Sequence, residues 1–261
     1  MNQVTSKFQI LRTEKRKALI PYIMGGDPGL KETARLLELL AENGADLIEV
    51  GVPFSDPVAD GPVIQAAGQR ALENGCTFSK LVSVLKTVTY GLPVPVVLMI
   101  YYNMIIQRGI DCLMEDLMAA GCGGLIIPDL PPEEAVELLL SAEKYNIGLN
   151  FLVAPTSSNE RIMKAATAST GFVYAVSRKG VTGVRTSLPK DLPQFLHRVT
   201  AITTKPVAVG FGVSTPAQAK EIATIADGVI VGSAIVTAVA ADSSFSKVRT
   251  LVSNLKEAIT F

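Results

Sequence analysis

Three carboxylates in the sequence stand where acids are costly or conspicuous. Glu49 falls inside the apolar run Leu47 to Val52, and Asp56 and Asp60 follow it in GVPFSDPVADGP, residues 51–62, a stretch too broken by proline and glycine to be a helix. An ionised carboxylate resists leaving water, so a glutamate within a strand is paired, open to solvent at a rim, or kept for chemistry. Asp-Pro and Asp-Gly are ordinary turn dipeptides, and taken singly Asp56 and Asp60 read as loop formers. Together with Glu49 they suggest a division of labour. A desolvated acid on a rigid strand can shuttle protons while a second acid, on an adjoining loop, stays ionised and orients a donor on the substrate.

A second group of residues has the chemistry of an anion site. Gly210-Phe211-Gly212 precedes a helix start at Thr215, and Gly232-Ser233 opens a short helical segment. Backbone N–H groups at such loops and helix starts bind phosphate, and glycine lets the ligand approach; tight packing of loop on helix is the alternative reading. The polar loop from Ser177 to Arg185, with Gly180 and Gly183, is either a cover for a ligand or plain flexible surface. Lys179 within it is placed for Schiff-base chemistry, which makes a lysine-dependent aldolase the first rival reading. Cys76, Cys112, Cys122 and the single histidine, His197, offer neither a zinc pattern nor a disulfide framework, so no metal site is expected.

Eight short apolar runs would position these groups: Ala18 to Ile23, Asp46 to Val52, Pro95 to Tyr101, Gly124 to Pro128, Gly148 to Val153, Gly171 to Val176, Pro206 to Phe211 and Asp227 to Gly232. Segments of helical period separate them, among them KETARLLELLAENG, CLMEDLMAAG, EEAVELLLSAEKYN and PAQAKEIATIA. Ser157 with Glu160 and Thr215 with Gln218 read as capping boxes, and Asn43-Gly44, Asn74-Gly75 and Ala120-Gly121 as helix ends. Nearly continuous apolar strands alternating with helices imply a parallel sheet covered by helices, and eight such units in 261 residues have the size of an α/β (β/α)8 TIM barrel. The expectation is one domain over residues 1–261, with added helical segments at Gln3 to Lys15 and Ser244 to Ile259. An open doubly wound sheet is disfavoured because the first strand leads into Gly25-Gly26-Asp27-Pro28 and not into GxGxxG. In a barrel the loops after the strand C-termini carry the site, and alternation turns Leu47, Glu49 and Gly51 into the lumen.

Composition narrows the classes further. Lys+Arg and Asp+Glu are equal at 24 each, which gives no basic footprint for nucleic acid, and 48% hydrophobic residues suffice for a large core. No apolar run approaches the roughly 20 residues that span a bilayer, and the N-terminus has no secretory or transit pattern, so a reducing cytoplasm is expected.

ALIPYIMGGDP, IEVGVPFSDPVADGPVIQAA, LMIYYN, PDLPPEEA, SRKGVTGVR, VGFGVSTP and DGVIVGSAIV, in this order and spacing, closely resemble the tryptophan synthase α subunit family. The resemblance runs from near Phe8 to the last strand. It implies retro-aldol cleavage of indole-3-glycerol phosphate to indole and glyceraldehyde 3-phosphate, a lyase reaction. It makes Glu49 the acid/base, Asp60 the second carboxylate, and Gly183, Gly212, Gly232 and Ser233 the phosphate contacts. Tyr22, Met99, Tyr174 and Phe211 would line the indole pocket. Thr182 would bind substrate and meet Asp56 across two loops. Asp56 and the Asp129-Leu130-Pro131 turn would face a β subunit in an α2β2 assembly. No cofactor is implied in this chain; pyridoxal phosphate would sit in the β partner. Lys179 departs from the small residue common in the family. A further rival, an α-like chain that only activates its β partner, is disfavoured by the presence of both carboxylates.

Overall fold

A computed structural model describes residues 1–177, 188–210 and 212–261. Its strands are β1 Ala18–Met24, β2 Ile48–Gly51, β3 Val96–Met99, β4 Gly124–Ile126, β5 Gly148–Asn150, β6 Leu152–Val153, β7 Val173–Val176, β8 Val207–Gly210 and β9 Gly228–Val231. The helices are α1 Gln3–Thr13, α2 Leu30–Glu42, α3 Pro62–Glu73, α4 Phe78–Val88, α5 Tyr102–Arg108, α6 Ile110–Ala119, α7 Val136–Lys144, α8 Asn159–Ala168, α9 Leu192–Ile202, α10 Pro216–Ala223, α11 Ser233–Ala241 and α12 Ser246–Ala258. All strand pairs are parallel, in the order β5-β4-β3-β2-β1-β9-β8-β7-β6.

That order is a (β/α)8 barrel. Its two end strands, β5 and β6, are halves of one run, which the sequence reads as the single strand Gly148 to Val153. The run breaks at Phe151: β5 pairs only with β4, and β6 only with β7. Side chains take over where the ladder stops. The Phe151 N–H donates to Ser169 Oγ at 3.1 Å, the Leu149 N–H to Thr170 Oγ1 at 2.9 Å, and the Phe172 N–H to Asn150 Oδ1 at 2.8 Å. The Asn150 amide in turn donates to the Leu125 carbonyl at 3.1 Å, so one buried carboxamide ties both sides of the seam.

Every residue of β1, β2, β3, β8 and β9 is buried, as expected of strands packed on lumen and helices alike. The added segments fall at the expected places. α1 buries Val4, Phe8 and Leu11, with the Phe8 ring 5.5 Å from that of Phe172, and α12 buries Val248, Val252 and Leu255. The chain reverses at Gly44, Gly75 and Gly121, each with positive φ, where helix ends were expected.

The capping box of Thr215 and Gln218 is present. That of Ser157 and Glu160 is not. The cap of α8 is Ser158, whose hydroxyl accepts from the Arg161 N–H, while Ser157 Oγ accepts from the Ala154 N–H at 3.0 Å and closes the preceding turn. Only Ser157 has a glutamate three residues on, but its hydroxyl is taken by the preceding turn, and the adjacent Ser158 caps the helix instead. Likewise EEAVELLLSAEKYN opens as a 3₁₀ turn, Pro132–Glu134, before α7 begins.

Candidate active site

Glu49 lies in the middle of β2, in register with Tyr22 of β1, and both side chains enter the lumen. Its carboxylate is fully buried and has no hydrogen-bond partner among the described residues. Burial first, and the charge of Asp60 second, push the Glu49 carboxyl up to about 8. Asp60 approaches from the loop between β2 and α3 and is 7% exposed. Burial raises its carboxyl to about 6, against a hydrogen bond from the Tyr101 hydroxyl that favours the anion. The pair is thus ordered by environment: the strand acid keeps its proton to higher pH than the loop acid.

Glu49, Asp60, Tyr22, Met99, Tyr174, Gly212, Gly232 and Ser233, all expected at the site, line one cavity. Ile64, on the first turn of α3, and Ile230 of β9 complete its wall. Sequence reading did not single out either. Ile230 alternates with Gly228 and Gly232 along β9, so period-two alternation carried that signal; nothing in the sequence marks Ile64.

Two tyrosines set the cavity's shape by lying over glycines. A Cβ at Gly51 would collide with the Tyr22 hydroxyl, and one at Gly210 with the Tyr174 hydroxyl. In each case the glycine sits two residues beyond the tyrosine's register partner on the next strand, Glu49 for Tyr22 and Ala208 for Tyr174. Burial, with the nearby acids, raises both phenols well above their usual range, so they remain neutral.

The far end of the cavity is built of backbone. Gly212 has φ of +88°, open to glycine and strained for other residues. The starts of α10 and α11 differ. In α10 the Thr215 hydroxyl accepts from the Gln218 N–H, and Gln218 Oε1 accepts from the N–H groups of Ser214 and Thr215. α11 begins after Gly232 with no side-chain cap, so no side chain caps its positive dipole end, and Gly232 and Ser233 at that end line the cavity. Gly212, Gly232 and Ser233 line the cavity, and the start of α10 does not.

Asp56 and Asp129 do not line the cavity. Both are exposed. Asp56 accepts from the Ser55 hydroxyl at 2.5 Å, and Asp129 accepts from the Tyr102 N–H at 2.9 Å, where it closes the start of α5. Thr182, Gly183, Phe211 and Lys179 lie outside the described residues. No group of three or more potential metal ligands occurs among the described residues, and none of their helices is long and apolar enough to cross a membrane.

A parallel (β/α)8 barrel that buries one acid unpaired among the described residues beside a second, in a cavity that an uncapped helix start also lines, is the architecture of a barrel enzyme of acid–base type. The family model described as tryptophan synthase alpha chain matches residues 8–260, and the chain belongs to that family. The tryptophan synthase alpha chain of Trichormus variabilis is 47% identical over 263 aligned residues, covering 99% of this chain and 99% of its own length. That of Picosynechococcus sp. is likewise 47% identical and is covered over its whole length. Among solved structures, Mycobacterium tuberculosis tryptophan synthase superposes with a TM-score of 0.92 at 39% identity, covering 100% of this chain and 99% of that one. The alpha subunit from Legionella pneumophila gives 0.90 at 34% identity, with 99% and 98% covered. The chain is accordingly a lyase of tryptophan biosynthesis that cleaves indole-3-glycerol phosphate to indole and glyceraldehyde 3-phosphate.

Proposed function

We propose that Glu49 and Asp60 carry out this cleavage from opposite edges of the indole ring, within one barrel domain spanning residues 1–261. The observation that carries the reading is the buried, unpartnered Glu49 carboxyl facing the same cavity as Asp60. Breaking the C–C bond directly would leave an electron pair on indole C3, a poor carbanion. Glu49 first delivers its proton to C3, and the ring becomes an indolenine whose nitrogen takes up positive charge. Asp60, held anionic, accepts the indole N–H hydrogen bond and stabilises that charge. The Glu49 carboxylate then takes the proton of the side-chain hydroxyl. The C–C electron pair flows to the ring nitrogen as the aldehyde forms, which leaves indole, glyceraldehyde 3-phosphate and a reprotonated Glu49. A carboxyl poised near neutral pH serves both steps.

Gly212, in the loop after β8, and Gly232 and Ser233, at the start of α11, hold the phosphate through backbone N–H groups, with Gly183 expected beside them. Tyr22, Met99 and Tyr174 enclose the indole, with Phe211 and Thr182 expected to join them. The alpha chain reaction needs no cofactor. The β subunit of an α2β2 assembly then receives the indole and holds the pyridoxal phosphate; exposed Asp56 and Asp129, on the same mouth, are the contacts we assign to it. The bacterial relatives support a cytoplasmic setting.

Asp60→Asn tests the pair. Indole release should fall about 10²-fold, because an amide cannot stabilise the ring cation, while glycerol phosphate binds as before. A large loss of glycerol phosphate affinity would instead place Asp60 at the phosphate.

A further inference from the structure

Asp60 has a neighbour that the reaction scheme leaves without a task. Tyr101 follows β3, is 3% exposed and occupies the cap position of α5. Its hydroxyl accepts from the Ala59 N–H at 3.1 Å, next to Asp60 in the chain, and stands near enough to the Asp60 carboxylate to act on it as a donor that favours the anion. Its ring stacks on Phe54, with centroids 5.1 Å apart and planes 29° apart. Phe54 and Ala59 lie towards opposite ends of the β2–α3 loop, so one side chain grips the acid's loop at two points and its carboxylate at a third. The backbone N–H of the next residue, Tyr102, is bound by Asp129, which anchors the tyrosine's own segment.

We infer that Tyr101 is a positioning residue that keeps Asp60 the ionised member of the acid pair and so leaves the shared proton on Glu49. This rests on the acid-pair reading above. The groups facing Asp60 make the need plain. Glu49 comes from β2, and the phenols Tyr22 of β1 and Tyr174 of β7 close the pocket. Asp129, after β4, acts on Tyr101 from the outer side. Among the described residues, no cation lines this cavity. A hydrogen bond given to the charged form keeps Asp60 ionised, and the donor is Tyr101. Burial raises the Tyr101 phenol far above neutral, so it remains a donor across the working range. Were the proton to move to Asp60, Glu49 would lose its acid function and the ring nitrogen its counter-charge at the same time.

The test is the pH profile of kcat/KM for indole formation by the full chain supplied with a β subunit, which reports the ionisations of the free enzyme. Tyr101→Phe keeps the ring on Phe54 and removes the donor. The acid limb should move up by about one pH unit, with activity lost several-fold near pH 6 and regained above about pH 7.5. Glycerol phosphate affinity should not change. 3-Fluorotyrosine in place of Tyr101, a stronger donor, should move the limb the other way. Phe54→Leu loosens the loop but leaves the hydroxyl, and its limb should stay in place.

A uniform fall at every pH in Tyr101→Phe, or an unmoved profile, would overturn the assignment. So would a shift in Phe54→Leu equal to that in Tyr101→Phe, because loop packing would then be the cause. If Asp60→Asn retains the parental acid limb, the limb is not that of Asp60, and the acid-pair reading itself fails.

Discussion

Asp46 and Glu49 are three residues apart in the same strand region and are both buried, yet their surroundings are opposite. Asp46 accepts from Arg16 at 2.9 Å, from Lys256 of α12 at 2.5 Å and from the Leu19 N–H at 2.9 Å. Asp27, at the mouth after β1, is held in the same way by a two-pronged Arg70 at 2.8 and 2.7 Å. Glu49 has no such partner among the described residues. A buried acid with cations and an N–H around it fastens elements together; Asp46 joins β1, the segment after α1 and α12. A buried acid without them keeps its proton into the neutral range and can hand it over. Burial alone does not separate structural acids from reactive ones. The inventory of neighbours does.

Glu49→Gln should strain this contrast most. Turnover should drop about 10³-fold with the fold intact, measured by indole release and circular dichroism. Near-normal turnover would return Glu49 to the structural class. Asp46→Ala should do the reverse, costing about 3 kcal/mol in a denaturant titration through stranded Arg16 and Lys256, while activity per folded molecule holds.

A third outcome concerns pH. The native chain keeps the Glu49 proton up to about pH 8, whereas an unfolded chain loses it near 4.5. Native protein therefore binds more protons across that window, and stability falls as pH rises, by at most about 1.4 kcal/mol per pH unit from this group. Asp60 adds to the slope between 3.8 and about 6. Melting followed from pH 5 to 8 should show the decline, and Glu49→Gln should flatten it. An unchanged slope in that variant would remove Glu49 as its source. The smallest effect carries the contrast over to the helix starts. Thr215→Ala should cost about 1 kcal/mol of stability and leave glycerol phosphate affinity unchanged, because the donors of α10 are already spent on their own cap.

Much of this was legible in the sequence because it depends on local pattern. Strand alternation turned Glu49 inward, apolar runs marked the barrel staves, and Thr215-Pro216 with Gln218 wrote out its own cap. What escaped depends on meetings between distant segments. The break at Phe151 follows from what Ser169 and Thr170 offer across the seam. Ser158 displaces Ser157 as a cap because Ala154 engages the latter. Tyr101 reads as one more aromatic in LMIYYN until the β2–α3 loop folds over it. The difference between the capped start of α10 and the uncapped start of α11 depends on how Gln218 folds back on Ser214 and Thr215.

The stitched run at residues 148–153 also says how the ring would come apart. Each of its halves forms a strand ladder on one side only, and β1, beside the acid-bearing β2, stands at the centre of the strand order, as far from that stitch as the circle allows. Breathing of the cylinder is therefore expected to start there, with β1 to β5 parting from β6 to β9 along a hem sewn by the side chains of Asn150, Ser169 and Thr170 and by the Leu149 carbonyl, which accepts from the Thr170 and Gly171 N–H groups. The chemistry sits across from the zip.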